Sequence, residues 1–404
     1  MTKSLRGTRI VLLGISLTSL LVSAGTIMTP AQSGKPTGTG TYTVLYSFQF
    51  QGYDGPAGDP KAGLARDAAG NLYGTTGNTV FKLAPDGTET VLHLFTGAPD
   101  GTGLSIASLT LDSAGNIYGT TPYGGDDGVG DGVGIVFELT PSGEETILHS
   151  FSGPDGSEPF GGLVRDSEGN LYGTTASGGA FNCGTVFRLS PDGTETILHS
   201  FAWHTGDGVT PVGDLATDPL GDLYGVTESG GEHGAGTVFE VTPGAREKVL
   251  YSFAGPPGDG MHPLGTSLLR DPSGNLYGVT YYGGSTGKVG RGTLFKVTRT
   301  GVESLLLSFN GRGDGAEPYD GLVEDSSGNL FGTTWLAGTN GVGVLFELTT
   351  EGKEIVLHNF GTDPSWTDGA APYGGVIRDS QGNLYGTTSA GGAYGYGTVF
   401  KYTP

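Results

Sequence analysis

One cysteine, Cys183, stands in 404 residues, so the chain closes no internal disulfide and its fold rests on packing and hydrogen bonding. Basic residues are scarce too: 20 Lys and Arg face 41 Asp and Glu, a net charge of −21. A field of that sign repels phosphate backbones, which argues against nucleic acid and anionic membrane surfaces as partners. Long apolar runs are missing except near the start, where Lys3, Arg6 and Arg9 precede a mostly apolar stretch from Ile10 to Val22. With small residues at Val22-Ser23-Ala24, this is the layout of a secretory signal over residues 1–24. The stretch is short for a membrane anchor and is interrupted by Gly14, Ser16, Thr18 and Ser19, so no membrane span is expected in the mature chain. Losing its three cations takes the mature charge to about −24. Residues 25–38 read as a flexible linker, and the expected location is extracellular, cell-surface or periplasmic. Catalytic signatures are absent as well: there is no phosphate loop and no dinucleotide fingerprint.

What is abundant is glycine, 78 residues of it with 22 prolines, and it is ordered into a repeat. The phrase Gly70-Asn71-Leu72-Tyr73-Gly74-Thr75-Thr76 recurs, with small changes, at 115–121, 169–175, 221–227, 274–280, 328–334 and 382–388. Measured at its aromatic residue, the intervals are 45, 54, 52, 53, 54 and 54 residues. Such a period means an array of equal supersecondary units.

In the third unit, Gly162–Asp166 reads as a short strand, the turn at 167–170 leads to a second strand, Leu171–Thr175, and a Gly-rich loop precedes a third, Thr185–Leu189. The turn Ser190-Pro191-Asp192-Gly193 then leads to a fourth strand from Thr196 to Phe201. Proline presets φ at the first turn position and glycine takes the left-handed one. Pro243-Gly244-Ala245 and Arg299-Thr300-Gly301 depart from this pattern, which leaves room for a different turn shape in units four and five. Sheets buried on both faces must cover one another, and seven of them arranged radially do so. The predicted fold is all-β, a seven-bladed β-propeller of four-stranded antiparallel blades over residues 39–404. Because the sequence stops at Pro404 after a third strand, while Gly40–Phe48 matches the fourth-strand segment Gly87–Phe95, the N-terminal strand is expected to close the last blade.

The run Gly-Thr-Val-Phe-x-Leu-[Thr/Ser]-Pro-Asp-Gly-x-x-Thr-x-Leu-[His/Tyr]-Ser-Phe, followed by Asp-Gly-x-x-Pro and Gly-Asn-Leu-Tyr-Gly-Thr-Thr, resembles the bacterial choice-of-anchor tandem-repeat family called GloVer. The resemblance covers 39–404. It implies an exported or surface protein and brings no known activity with it. Family members usually carry a C-terminal sorting segment, and none follows Pro404, so release or retention by a partner is the expectation.

Two classes of connection vary in length, those between the second and third strands and those leading into each blade, and in a meander both lie on one end of the disc. That long-loop face is where binding is expected. Three residue sets on it are candidates. An Asp-Gly pair leads into every blade, at Asp54, Asp100, Asp155, Asp207, Asp259, Asp314 and Asp368. These carboxylates could form a ring near the axis holding calcium or another divalent cation, the one cofactor contemplated, or each could close its own loop as an Asx-turn, the reading that sevenfold repetition favours. His204, His233 and His262 break the repeat around the fourth blade and suggest a metal-assisted lyase or hydrolase, although no ligand spacing supports it. His93, His149, His199 and His358 instead occupy a repeat position. Tyr123, Tyr281, Tyr282 and Trp335, with Trp203 and Trp366, are flat rings suited to stacking on sugars. The expectation is a monomeric, non-enzymatic module that binds a polysaccharide or a surface protein; a purely structural surface module is the third reading.

Overall fold

The computed structural model describes residues 38–49, 58–104, 108–126, 132–203, 206–265, 267–285, 287 and 289–404, and every named element in them is a β-strand. The signal segment, nearly all of the linker, Asp54 and His204 lie outside these residues. Seven antiparallel blade sheets follow one another along the chain, and a two-stranded ladder of Gly260–Met261 with Tyr282–Gly283 is added in blade 5. In the third, strand a (Val164–Arg165), b (Leu171–Thr175), c (Thr185–Leu189) and d (Glu195–Ser200) pair in sequence order. Blade 4 gains an extra strand, Gly208–Pro211, which pairs with a lengthened b strand, Leu223–Gly230. The seventh blade takes a, b and c from Ile377–Arg378, Leu384–Thr388 and Thr398–Thr403, and its d strand is Thr41–Ser47, with Thr41 opposite Thr403. The expected closure is therefore present, and the ring has no open seam.

The repeated phrase acts through its turn. Asp67 begins the a–b turn, and its carboxylate accepts from the Asn71 amide (2.8 Å), the Asn71 side chain (2.6 Å) and the Tyr73 hydroxyl (3.1 Å). Burial pushes the Asp67 carboxyl up, but these donors together hold it below its ordinary value. Asp166 and Asp379 repeat the arrangement with Asn170 and Tyr172, and with Asn383 and Tyr385. The c–d turns keep one shape throughout. Gly87 at φ 85° donates to Ala84, and in blade 4 Ala245, at φ 58°, donates to Thr242 in the same way. Units four and five thus differ in sequence but not in turn geometry.

Blades are joined by phenylalanine pairs. A ring following strand d packs on the strand c phenylalanine of the next blade, as in Phe201 on Phe239 (5.1 Å) and Phe253 on Phe295 (5.0 Å). Phe48 on Phe81 (5.0 Å) makes the same contact across the closure. The strand c ring lies against the glycine opposite it on strand b: a Cβ on Gly225 would stand 2.5 Å from Phe239. That glycine is the fifth letter of the repeated phrase, and it is required by close approach rather than by backbone conformation.

Strand a is innermost, because the segments leading into it touch across blades. Asp214 of blade 4 accepts from the Gly162 amide of blade 3, and Asp320 of blade 6 accepts from Gly375 of blade 7 (2.8 Å). Ser267 of blade 5 lies 2.9 Å from Asp214 and 3.2 Å from Asp320. Burial, then the charge of Asp214, pushes the Asp320 carboxyl up to about 6. Glycine, serine and two carboxylates bridged by Ser267 thus meet at the inner ends of these blades.

Candidate functional site

The loop leading into a blade and the loop between its b and c strands pair with each other on one face, at Ser157 with Ser177, Ala316 with Leu336 and Ala370 with Ala390. At the inner end of each leading loop one residue is held in the left-handed region: Asp59 (φ 69°), Glu158 (57°), Thr210 (58°), His262 (54°), Glu317 (57°) and Ala371 (54°), with Gly103 (85°) in blade 2. Except for Gly103, a proline follows each of them. Non-glycine residues avoid this region, so two hydrogen bonds must impose it. The Glu317 amide donates to Arg291 of the preceding blade (2.8 Å), and the Glu317 carbonyl accepts from Trp335 of its own blade (3.2 Å). His262 is fixed likewise between Ala235 (2.9 Å) and Tyr281 (3.0 Å). A rigid scaffold therefore presents seven side-chain positions around the axis in one backbone conformation, with a different residue at most of them.

Over blades 5 to 7 this ring carries an aromatic cluster. Tyr281 lies 6.2 Å from Trp335, Trp335 is 4.8 Å from Tyr373, Tyr373 is 5.1 Å from Tyr319, and Tyr319 is 6.1 Å from Tyr281. The four rings close a cycle, and all are half-buried. Tyr282 stands edge-on to Tyr281 at 4.5 Å. Polar groups surround them. Burial and then the Glu317 carboxylate raise the Tyr281 hydroxyl well above its ordinary value, and burial, Tyr373 and Asp320 push Tyr319 up to about 12. Glu317 also pairs with Arg291 (3.2 Å), while Lys61, bound to Asp59 (2.8 Å), lies 5.8 Å from the centre of the Tyr373 ring. Beside the cluster, Tyr282, Arg291, Asn310 and Glu317 line a groove of about 440 Å³. Flat rings beside charged donors and acceptors can stack on a ligand and hydrogen-bond its rim.

Of the predicted aromatics, Tyr281, Tyr282 and Trp335 meet here. Tyr123 stays apart, 45% exposed and edge-on to Phe160 at 6.5 Å, and Trp203 and Trp366 are 56% and 44% exposed in their leading loops. Tyr319 and Tyr373, absent from the predicted set, directly follow the repeat prolines Pro318 and Pro372. The signal lay in that column, which reads Lys61, Phe160, Val212, Leu264, Tyr319 and Tyr373.

The six Asp-Gly carboxylates among the described residues do not ring the axis. Asp100, Asp155, Asp207 and Asp368 meet His93, His149, His199 and His358 of the outer d strand at 3.0, 3.1, 3.0 and 2.9 Å, and Asp259 meets Tyr251 at 2.8 Å. Each also accepts from backbone amides of its own loop, as Asp100 does from Thr96 and Asp259 from Ala254, so they close loops against the blade rim. Asp314, opposite Leu307, accepts from Asn310 and Arg312 amides. Of the loop histidines, His233 is exposed, while His262 Nδ1 lies 3.0 Å from the Glu228 carbonyl. Neither belongs to a metal-capable group among the described residues.

No helix among the described residues is long and apolar enough to cross a membrane. In fold the chain is similar to a streptogramin B lyase (15% identity, 90% of this chain and 97% of that one, TM-score 0.62) and to a virginiamycin B lyase from Staphylococcus aureus (13%, 90% and 99%, 0.58). It also resembles the extracellular domain of a hybrid two-component system from Bacteroides thetaiotaomicron (12%, 90% and 41%, 0.53). At such identities the likeness is one of fold alone. Among curated proteins none matches the chain in sequence. The model of the Gloeobacter/Verrucomicrobia repeat matches residues 11–219, 130–289, 192–366 and 285–404, which together span nearly the whole sequence, and the chain belongs to that repeat family.

Proposed function

We propose that the protein is an exported, non-enzymatic binding module that takes a polysaccharide on its long-loop face. The observation that carries this reading is the cycle of Tyr281, Trp335, Tyr373 and Tyr319, contributed by three blades and left half-exposed beside Glu317, Arg291 and Lys61. An interior that needed these rings would bury them as it buries the inter-blade phenylalanines. Sugar rings offer an apolar face to the aromatics and hydroxyls to the carboxylates and cations. The N-terminal signal layout supports export, and the acidic surface favours neutral over phosphorylated ligands.

Retention of the mature protein on a panel of insoluble neutral glycans tests the proposal. Trp335→Ala and Tyr373→Ala should each weaken retention about tenfold or more, as expected for loss of a central aromatic contact worth over 1 kcal/mol. Trp203→Ala should leave it unchanged. Retention on no glycan, with capture of a surface protein instead, would replace the polysaccharide by the protein ligand.

A further inference from the structure

The rim of the ring holds a cluster that the aromatic face does not use. At the boundary between blades 1 and 2, His93 on strand d, Asp100 on the next leading loop and Glu145 at the start of the following d strand bring one donor atom each within 4.8 Å of one another. His199, Asp207 and Glu247 do the same between blades 3 and 4. In both, histidine Nε2 stands 3.0 Å from the aspartate. The third member leaves a polar atom over, because Oε1 of Glu145 and of Glu247 is buried with no hydrogen-bond partner, as it is in Glu195, Glu303 and Glu354 of other d strands. A carboxylate oxygen removed from water without a partner is costly, and at these two boundaries a histidine nitrogen and an aspartate oxygen lie close enough for one ion to serve all three.

We propose that these two boundaries each bind a divalent transition cation of the zinc class through His93, Asp100 and Glu145, and through His199, Asp207 and Glu247. One imidazole nitrogen and two carboxylates form a borderline donor set. A 3.0 Å separation between nitrogen and oxygen suits metal bonds of about 2.0–2.2 Å, whereas calcium prefers oxygen ligands alone at about 2.3–2.6 Å. The histidines are 19% and 20% exposed and the aspartates 21% and 11%, so an ion reaches the site from the rim. Each ion ties the d strands of two successive blades through the loop between them. In a chain with one cysteine this supplies cross-links that disulfides cannot. The other boundaries separate themselves chemically: Tyr46, Tyr251 and Leu307 replace the histidine at three, Tyr42 stands in the glutamate position beside His358 and Asp368, and between blades 2 and 3 His149, Asp155 and Glu195 do not close to the same distance.

The test uses tag-free mature protein, stripped with chelator and dialysed, then titrated with zinc chloride. The expected result is about two equivalents bound per chain and a rise in Tm of roughly 5 °C, the size that mass action gives for two occupied sites. Glu145→Gln and Glu247→Gln keep side-chain size and a neutral hydrogen-bonding group, so each should retain the wild-type circular dichroism while losing one equivalent. Glu195→Gln should retain both. The proposal is overturned if the wild type binds no zinc, if both glutamine variants bind as the wild type does, or if calcium binds at the same sites with equal affinity.

Discussion

At Ala245 the repeat tolerates a residue that the backbone does not favour. Its φ of 58° is the left-handed value that glycine supplies at Gly87, Gly143 and Gly193 in the same turn, and alanine there bears a steric cost of about 1–2 kcal/mol. Glycine loses more freedom on folding, which offsets part of the gain. Ala245→Gly should therefore stabilise the protein by roughly 0.5–1 kcal/mol, read as a higher denaturant midpoint with an unchanged slope. The reverse case is Gly225, whose space is already filled by the Phe239 ring. Gly225→Ala should destabilise by about 1–3 kcal/mol, measured the same way. The two glycine roles read differently in sequence: the turn glycine is announced by Pro-Asp before it, while the strand glycine looks like any other letter of the phrase until the ring opposite is known.

Between blades, the strand d glutamates form a second repeated device. Glu354 is 3% exposed, its Oε1 has no partner, and it faces Asp314, also 3% exposed; burial and then the Asp314 charge push its carboxyl up to about 8. Glu303, facing Asp259, is pushed up to about 7 for the same reasons. A carboxyl raised above its unfolded value holds a proton that the unfolded chain releases, so its contribution is complete below about 4.5 and is lost as pH rises through about 7 to 8. Thermal stability should fall between pH 5 and pH 8.5, with Glu354 alone accounting for on the order of 3–5 kcal/mol, and Glu354→Gln should flatten the profile. A Tm that rises over this interval, or an unchanged slope in the variant, would exclude this role. The sequence displayed these glutamates and the Asp-Gly pairs once per unit, but not their meeting. Strand d of one blade touches the loop behind the neighbouring d strand only because the sheets pack radially, and spacing along the chain contains no angle between blades. For the same reason Tyr281 and Trp335 were recognisable as unusual rings, while Tyr319 and Tyr373 were hidden behind repeat prolines.

For the whole molecule, the sevenfold phrase and the offset between the two chain ends were enough to specify the architecture, because closure follows from counting strands. What counting leaves open is whether the last blade, assembled from Thr41–Ser47 and three C-terminal strands, is as firmly held as the others. Its contacts say that it is. Phe48 packs on Phe81 at 5.0 Å with 5% exposure, the geometry of Phe201 on Phe239, and Tyr42 stacks on His358 at 3.8 Å while its hydroxyl donates to the Asp368 carbonyl (2.6 Å). A ring unfolds cooperatively only if every boundary, including this one, contributes comparably. Phe48→Ala should then cost about what Phe201→Ala costs, roughly 3–5 kcal/mol each, in guanidinium unfolding with a single transition. If the N-terminal strand were instead a loosely docked tail, Phe48→Ala would be nearly silent and hydrogen exchange along Thr41–Ser47 would be far faster than along Glu195–Ser200. The six backbone pairings from Thr41 opposite Thr403 to Ser47 opposite Thr398 predict matched protection of the two strands.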